Sequence, residues 1–225
     1  MVIFFDIDDT LINHSVAMRK ATDRLCERQT VSMAPEVFLA RWYHAHREHY
    51  PRFLSGELSY EETARARVRA VFGETLSDEE AHGIMDGYLS DYAAAWSLFP
   101  DVLPCLDNLK SFRLGIISNG RSVEQRRKLA ATDIANRFEH VLVSEDCGYA
   151  KPRAEIFRRA CSMARVPLCQ AAYVGDNYET DACGARNAGL RGIWLDRSGA
   201  APGEHEGSTI ASLGFLLSVL DCRTT

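Results

Sequence analysis

The segment FFDIDDTL, residues 4–11, places three carboxylates within four positions: Asp6, Asp8 and Asp9. Two carboxylates about 4 Å apart repel each other by roughly 1 kcal/mol in water, and by several times that in a partly buried cleft. Such a cluster requires a bound cation, a shared proton or a function that justifies the strain. A solvated turn after a strand is the alternative, because Asp also favours turns.

Polar residues also follow other apolar runs of the chain. The segment SNG, residues 118–120, precedes a helix-like stretch, a position where a hydroxyl and backbone N–H groups can bind an anion. Lys151 lies in the loop sequence GYAKP, and the segment GDNYETD, residues 175–181, places Asp176 and Asp181 after a further run. Several chemically compatible residues of this kind are harder to attribute to chance than one.

The elements that must position these residues are short apolar runs that end in a polar residue: VIFFD, LGIIS, HVLVSED, AAYVGD and GIWLD. Runs that are apolar at nearly every position are typical of strands buried on both faces of a parallel sheet. Helix-like stretches alternate with the later runs, at 101–111, 122–131, 153–164 and 177–188, and another lies at 209–220. The pattern predicts an α/β fold with a Rossmann-like three-layer core and a central, mostly parallel sheet. Since ligands of such sheets bind beyond the carboxyl ends of the strands, we expect Asp6, Ser118 and Asp176 to face one crevice.

Residues 14–98 break this alternation, because they show helical periodicity without a strand-like run. Pro35 is expected in the first turn of a helix, and Gly73 at the end of another. Three pairs have the spacing of a capping box: Ser59 with Glu62, Ser77 with Glu80, and Ser122 with Gln125. The sequence therefore predicts an α/β core formed by residues 1–13 and 99–225. An all-helical cap domain, residues 14–98, is inserted after the first strand and is expected to act as a lid.

Composition excludes several classes of protein. The chain has 225 residues and a net charge of −5, without the basic excess of a protein that binds a nucleic-acid polymer. No apolar run reaches the length of about 18 residues expected of a membrane span, and the apolar start is too short for a secretory signal. We expect a soluble cytoplasmic protein, and nothing in the sequence indicates its oligomeric state.

The seven cysteines form no CxxC pair, so neither a zinc site nor a disulfide framework is indicated. They are Cys26, Cys105, Cys147, Cys161, Cys169, Cys183 and Cys222.

Taken in order, four segments resemble the motifs of the haloacid dehalogenase superfamily, whose members are mostly phosphatases. They are DIDDT at 6–10, SNG at 118–120, Lys151 with Pro152, and GDNYETD at 175–181. Three features, the DDT ending of the first motif, the SNG segment and the GDNYETD segment, most resemble the branch that contains nucleoside monophosphate phosphatases and N-acylneuraminate phosphatases. The resemblance implies an enzyme that hydrolyses a phosphate monoester.

The resemblance also implies roles for the acids. Asp6 would be the nucleophile, forming an aspartyl-phosphate. Asp8 would be the general acid that protonates the departing alcohol, and then the base that activates water. Asp6, the backbone carbonyl of Asp8, and Asp176 would bind Mg²⁺, a hard cation that prefers oxygen ligands.

The remaining motif residues would handle the phosphate. By the same resemblance, Ser118 and the amide of Asn119 would hold phosphate oxygens. Lys151 would neutralise charge on both the nucleophile and the phosphate. Asp181 would complete the acidic cluster and orient Lys151 or a metal-bound water.

Proteins of other classes share parts of this pattern. A sugar phosphomutase resembling β-phosphoglucomutase would keep both acids, although its first motif typically has glycine where this chain has Asp9. Haloacid dehalogenases lack an acid at the position of Asp8, since a departing halide needs no proton. A phospho-accepting receiver carries its phosphorylated Asp after a middle strand, whereas Asp6 follows the first. A catalytically inactive relative that serves as a binding module is excluded only by an assay.

The substrate is expected to be a small phosphorylated metabolite, either a nucleoside monophosphate, as for a 5'-nucleotidase, or a sugar phosphate. In the segment at 42–53, Trp42, His46 and His49 could contact a base or a sugar. The alternative is that Trp42 packs between cap helices while the histidines face solvent. Arg121 is a candidate for a remote contact with the substrate or a plain surface residue, and His14 is expected to be a polar residue of the hinge region.

Overall fold

The computed structural model describes residues 1–29, 33–199 and 207–221. Cys222, one of the cysteines counted above, lies outside the described residues. The chain divides into two compact units, one formed by Met1–Asn13 and Leu98–Thr225 and the other by His14–Ser97.

A six-stranded sheet forms the centre of the first unit, with the order β3-β2-β1-β4-β5-β6 and every neighbouring pair parallel. The strands are β1 Val2–Phe5, β2 Arg113–Ser118, β3 His140–Val143, β4 Ala171–Gly175, β5 Arg191–Leu195 and β6 Ser208–Ile210. Strand β1 lies between β2 and β4, and it is buried at every position. Complete burial is the pattern expected of a central parallel strand, and the predicted α/β fold class is confirmed.

Helices follow most of the strands of this unit. They are α5 Val102–Asn108, α6 Ser122–Ala131, α7 Ser144–Cys147, α8 Ala154–Ala164, α9 Gly184–Ala188 and α10 Leu216–Asp221. A π-helical turn, Tyr178–Cys183, precedes α9.

The prediction of one helix-like stretch over 209–220 is wrong at its beginning. Thr209 and Ile210 belong to strand β6, where they pair with Trp194 and Leu195 of β5. Helix α10 begins only at Leu216. A strand of three residues is too short to show a period of its own, and its pairing with β5 decides its conformation.

The second unit contains helices α1 His14–Arg28, α2 Pro35–Leu54, α3 Tyr60–Phe72 and α4 Asp78–Ala94. Pro35 occupies the first turn of α2 as predicted, and Gly73 ends α3. The predicted capping boxes at the starts of α3 and α4 are confirmed, since each serine and the glutamate three residues later bond reciprocally across the helix start. Among the described residues, no helix combines the length and the apolar character needed to cross a membrane.

The core of the helical unit contains a cluster of aromatic side chains. Trp42 is fully buried, stacks on Phe38 and lies under the guanidinium of Arg67, 4.1 Å from its ring centroid. Trp42 therefore packs between helices and is not available to stack a ligand. The expectation that the histidines face solvent is wrong for His46 and His49, which are half-buried, and His46 stacks on Tyr50. His14 Nδ1 lies 2.6 Å from the hydroxyl oxygen of Tyr92.

Candidate active site

Three of the predicted site residues lie at the carboxyl ends of adjacent strands. Asp6 directly follows β1 and its backbone N–H donates to the carbonyl of Val174, 2.9 Å away. Ser118 is the last residue of β2, and Asp176 follows β4. Because β2, β1 and β4 are parallel neighbours, their ends meet at one edge of the sheet, the edge where ligands of such sheets bind.

Lys151 connects the acids at this edge. Its Nζ lies 2.7 Å from Asp6 Oδ1, from Asp181 Oδ1 and from the hydroxyl of Tyr173. Burial alone would lower the pKa of this lysine, but the carboxylates of Asp181 and Asp6 outweigh burial and raise its pKa above the usual value. Lys151 is therefore held as a charged ammonium. The hydroxyl of Tyr173 donates onward to the carbonyl of Ile117 at 2.8 Å.

Asp6, Asp176 and Asp181 form an acidic cluster, with carboxylate oxygens within 4.8 Å of one another. Burial raises the pKa of Asp6 to about 6, and the neighbouring acids Asp181 and Asp8 add to the effect against the opposing charge of Lys151. Burial and the charges of Asp6 and Asp181 raise the pKa of Asp176 to about 8. A cluster of oxygen donors whose members repel one another suits a hard divalent cation, which would remove that repulsion.

Thr10 orients Asp176 from the first loop. Its Oγ1 accepts a hydrogen bond from the backbone N–H of Asp176 at 3.0 Å and donates to Oδ1 of that residue at 3.2 Å. Trp194 Nε1 donates to the carbonyl of Asp176 at 2.8 Å. The backbone N–H and the backbone carbonyl of Asp176 are therefore both hydrogen-bonded to side chains from other elements.

The carboxylate of Asp8 does not belong to the acidic cluster found among the described residues. Its oxygens accept hydrogen bonds from Lys128 Nζ at 2.8 and 3.0 Å and from Gln125 Nε2 at 2.9 Å. The prediction for metal binding concerns the backbone carbonyl of Asp8, and it stays a prediction. The side chain is oriented by helix α6.

The SNG segment and the Lys151 loop are joined by one amide. The side chain of Asn119 donates to the carbonyl of Lys151 at 3.1 Å and accepts from its backbone N–H at 2.8 Å. Gly120, with φ 130°, follows, and its N–H donates to Ser144 Oγ. These contacts bring Ser118 and Lys151 to the same edge of the sheet. Arg121, the other candidate of this segment, is half-buried at the start of α6.

The capping box predicted for Ser122 and Gln125 is wrong, although helix α6 does begin at Ser122. Ser122 is already the first helical residue, and its N–H donates to Oε2 of Glu145 in helix α7. The side-chain amide of Gln125 donates to Ser118 Oγ and Asp8 Oδ2 instead of to the backbone at the helix start. A carboxylate supplied from elsewhere in the fold has replaced the local cap.

A protein-family model described as haloacid dehalogenase-like hydrolase matches residues 1–189. The chain belongs to this family. The resemblance drawn from the four motifs is therefore confirmed, and the protein is a hydrolase.

Relatives of this hydrolase include phosphatases. A glyceraldehyde 3-phosphate phosphatase of Pyrococcus abyssi is 29% identical over 203 residues, which cover 86% of this chain and 80% of the relative. The N-acylneuraminate-9-phosphatase of Rattus norvegicus is 25% identical over 249 residues, covering 99% and 96%. Among solved structures, a HAD-hydrolase of Bacillus subtilis bound to magnesium has a TM-score of 0.77 at 24% identity over 98% of both chains. That structural likeness shows the shared fold.

Four residues of this hydrolase's site were not found from the sequence: Thr10, Gln125, Lys128 and Tyr173. Thr10 lies inside the DIDDT segment, so its position next to the acids was a usable signal. Tyr173 lies in an apolar run, where an aromatic residue indicates packing. Gln125 and Lys128 lie in a helix whose charged residues would ordinarily face solvent.

Proposed function

We propose that this hydrolase is a Mg²⁺-dependent phosphomonoesterase that acts through an aspartyl-phosphate. Its substrate would be a small phosphorylated metabolite, either a nucleoside monophosphate or a sugar phosphate. The observation that carries the proposal is the position of Lys151 Nζ, 2.7 Å from both Asp6 and Asp181, beside a third acid, Asp176, in the same cluster. A buried nucleophile, a fixed ammonium and a set of oxygen ligands are what phosphoryl transfer requires.

Asp6 would carry the covalent step. One of its oxygens attacks phosphorus, a P–O bond forms to Asp6, and the bond from phosphorus to the ester oxygen breaks. Asp8 donates its proton to the departing alkoxide, so the product leaves as an alcohol. Water then attacks phosphorus and gives a proton to Asp8, and the bond between phosphorus and Asp6 breaks. Phosphate is released, Asp6 is restored as a carboxylate, and Asp8 is again protonated for the next cycle.

The charges of the substrate and the nucleophile must be offset for this attack to occur. Asp6, Asp176 and the backbone carbonyl of Asp8 would hold Mg²⁺, which when bound supplies positive charge against the phosphate. Lys151 offsets charge from the other side, and Asp181 keeps its ammonium in place. The Ser118 hydroxyl and the amide of Asn119 would bind the oxygens of the phosphate.

The relatives support a small substrate. The Pyrococcus abyssi protein is named for a three-carbon sugar phosphate and the rat protein for a phosphorylated sugar acid, which favours the sugar phosphate alternative. The nucleoside monophosphate alternative, a 5'-nucleotidase activity, rests on the motif resemblance. We also propose that the helical unit His14–Ser97 is a cap that selects the substrate, and a cytoplasmic location stays a prediction.

Phosphate release from a panel of nucleotides and sugar phosphates tests the proposal. The panel is run with Mg²⁺ and with EDTA, for the wild-type protein and for Asp6→Asn. Asp133→Asn is the matched control, because Asp133 is exposed and its left-handed backbone also suits asparagine. Release that requires both Mg²⁺ and Asp6, but not Asp133, is expected. Release that persists in Asp6→Asn would overturn the aspartyl-phosphate, and isomerisation of a sugar phosphate without release would indicate a mutase.

A further inference from the structure

Two buried polar side chains of helix α6 contact Asp8 and Ser118 at the edge of the sheet where the candidate site lies. Gln125 is 2% exposed and Lys128 is 1% exposed, and neither belongs to the four motifs. A lysine this deeply buried is costly unless its charge is paired. Its partners therefore indicate what the residue is for.

Lys128 has three carboxylate oxygens as partners. Its Nζ lies 2.8 Å from Asp8 Oδ1, 3.0 Å from Asp8 Oδ2 and 3.1 Å from Glu124 Oε1. An ammonium has three N–H donors, so all of them can be used here. Both oxygens of Asp8 face one cation that is fixed in a helix, which sets the orientation of the carboxylate.

Gln125 links the same carboxylate to the predicted phosphate site. Its Nε2 lies 2.9 Å from Asp8 Oδ2, 2.8 Å from Ser118 Oγ and 3.0 Å from the carbonyl of Asn119. Because Ser118 Oγ accepts from Gln125, its own proton stays available for another acceptor. Among the described residues, the Ser118 hydroxyl donates to the carbonyl of Asn119 at 3.4 Å. That distance is long for a hydroxyl donor, so a phosphate oxygen would be the better partner.

We infer that Gln125 and Lys128 are positioning residues that set Asp8 and Ser118 together for the hydrolysis of a phosphate ester. Lys128 acts through Asp8 on the departure of the alcohol. Gln125 acts through both Asp8 and Ser118, and so also on the binding of phosphate. The inference rests on the proposed function, and it assigns that reaction two residues outside its motifs.

The first test is Lys128→Met, which removes the ammonium and keeps a side chain of similar length. The readout is kcat/KM with p-nitrophenyl phosphate and with glycerol phosphate, since this ratio covers the steps up to departure of the leaving group. The nitrophenolate departs without a proton, whereas an alkoxide needs one. We expect roughly a 10²-fold loss for glycerol phosphate, in the range of general acid catalysis, and only a few-fold loss for the aryl ester. Lys110→Met is the matched control, because Lys110 is exposed.

The second test is Gln125→Met, which keeps the shape of the side chain and removes its donors. Here both esters are expected to lose activity, and inhibition by inorganic phosphate is expected to weaken several-fold. Lys128→Met should leave that inhibition unchanged. This second variant also carries the test if Lys128→Met does not fold, which thermal unfolding of each variant reports.

The outcomes separate two failures. If the wild-type protein releases phosphate but each folded variant loses the same factor for both esters and keeps its inhibition by phosphate, the two residues serve packing alone and the inference is wrong. If the wild-type protein hydrolyses neither ester nor any member of the substrate panel, the proposed function itself is wrong, and the inference falls with it.

Discussion

Asp181 packs directly against the backbone of Gly175. A methyl group at Gly175 would lie 2.3 Å from Asp181 Oδ2 and 2.4 Å from its carboxyl carbon, well inside the 3.0 Å that real contacts of this kind respect. Asp181 can therefore hold Lys151 Nζ at 2.7 Å only because residue 175 has no side chain. The glycine of the GDNYETD segment is thus required by the position of an acid six residues later.

Gly175→Ala should displace Asp181 and, with it, the ammonium of Lys151. We expect roughly a 10²-fold loss of kcat/KM for phosphate release, as is typical when a catalytic group moves by about 1 Å, together with a lower melting temperature. Gly214→Ala is the matched control, because a methyl group there would meet only Ser212 Oγ at 3.6 Å. Wild-type kinetics in Gly175→Ala would show that the position of Asp181 does not matter.

Much of the α/β core could be predicted because its strands are buried on both faces. In β1 and β4 nearly every side chain is apolar, so the pattern in the sequence and the burial in the fold agree. Strand β6 could not be predicted, since only pairing with β5 makes Thr209 and Ile210 extended. The start of α6 was predicted from a cap that does not form. There Glu145 of helix α7, distant in sequence, supplies the carboxylate.

Some residues of the candidate site could likewise be predicted from the sequence, and others could not. The four motifs could be found because their residues are close in sequence and chemically distinctive. Lys128 could not be found, because a lysine in a polar helix ordinarily faces water, and only the placement of α6 beside Asp8 buries it. Tyr173 was missed for the opposite reason. Its ring belongs to the buried strand, and its hydroxyl lies 2.7 Å from Lys151 Nζ.

The stability of the protein should depend on pH and on Mg²⁺ together. Burial raises the pKa of Asp6 to about 6 and that of Asp176 to about 8, against an ordinary value of 3.8. Between the ordinary pKa of 3.8 and these raised pKa values, the folded metal-free protein binds more protons than the unfolded chain. Its free energy of unfolding therefore falls as pH rises through this range. A cation bound by the two carboxylates removes this loss. We expect the rise in melting temperature caused by Mg²⁺ to be larger at pH 8 than at pH 5.5, as measured by scanning calorimetry against EDTA.

Asp176→Asn is the control for this dependence, because it removes the group with the higher pKa and keeps its shape. Its metal-free stability should change less with pH between 5.5 and 8 than that of the wild-type protein, and Mg²⁺ should raise its melting temperature little. Comparing samples with and without Mg²⁺ at each pH cancels groups that the metal does not touch. An equal effect of Mg²⁺ at both pH values would contradict the assignment of these acids as its ligands.

The capping boxes allow three serines with the same sequence spacing to be compared. Ser59 and Ser77 each accept a hydrogen bond from the backbone N–H of the glutamate three residues later, whereas Ser122 does not cap its helix. Ser59→Ala and Ser77→Ala should each lower the free energy of unfolding by about 1 kcal/mol, the usual cost of losing such a cap. Ser122→Ala should cost clearly less, because among the described residues the partner of its hydroxyl is the exposed Arg126, from which it accepts a hydrogen bond. Urea unfolding of the three variants measures this order, and a loss for Ser122→Ala equal to the other two would mean that its hydroxyl caps α6 in solution.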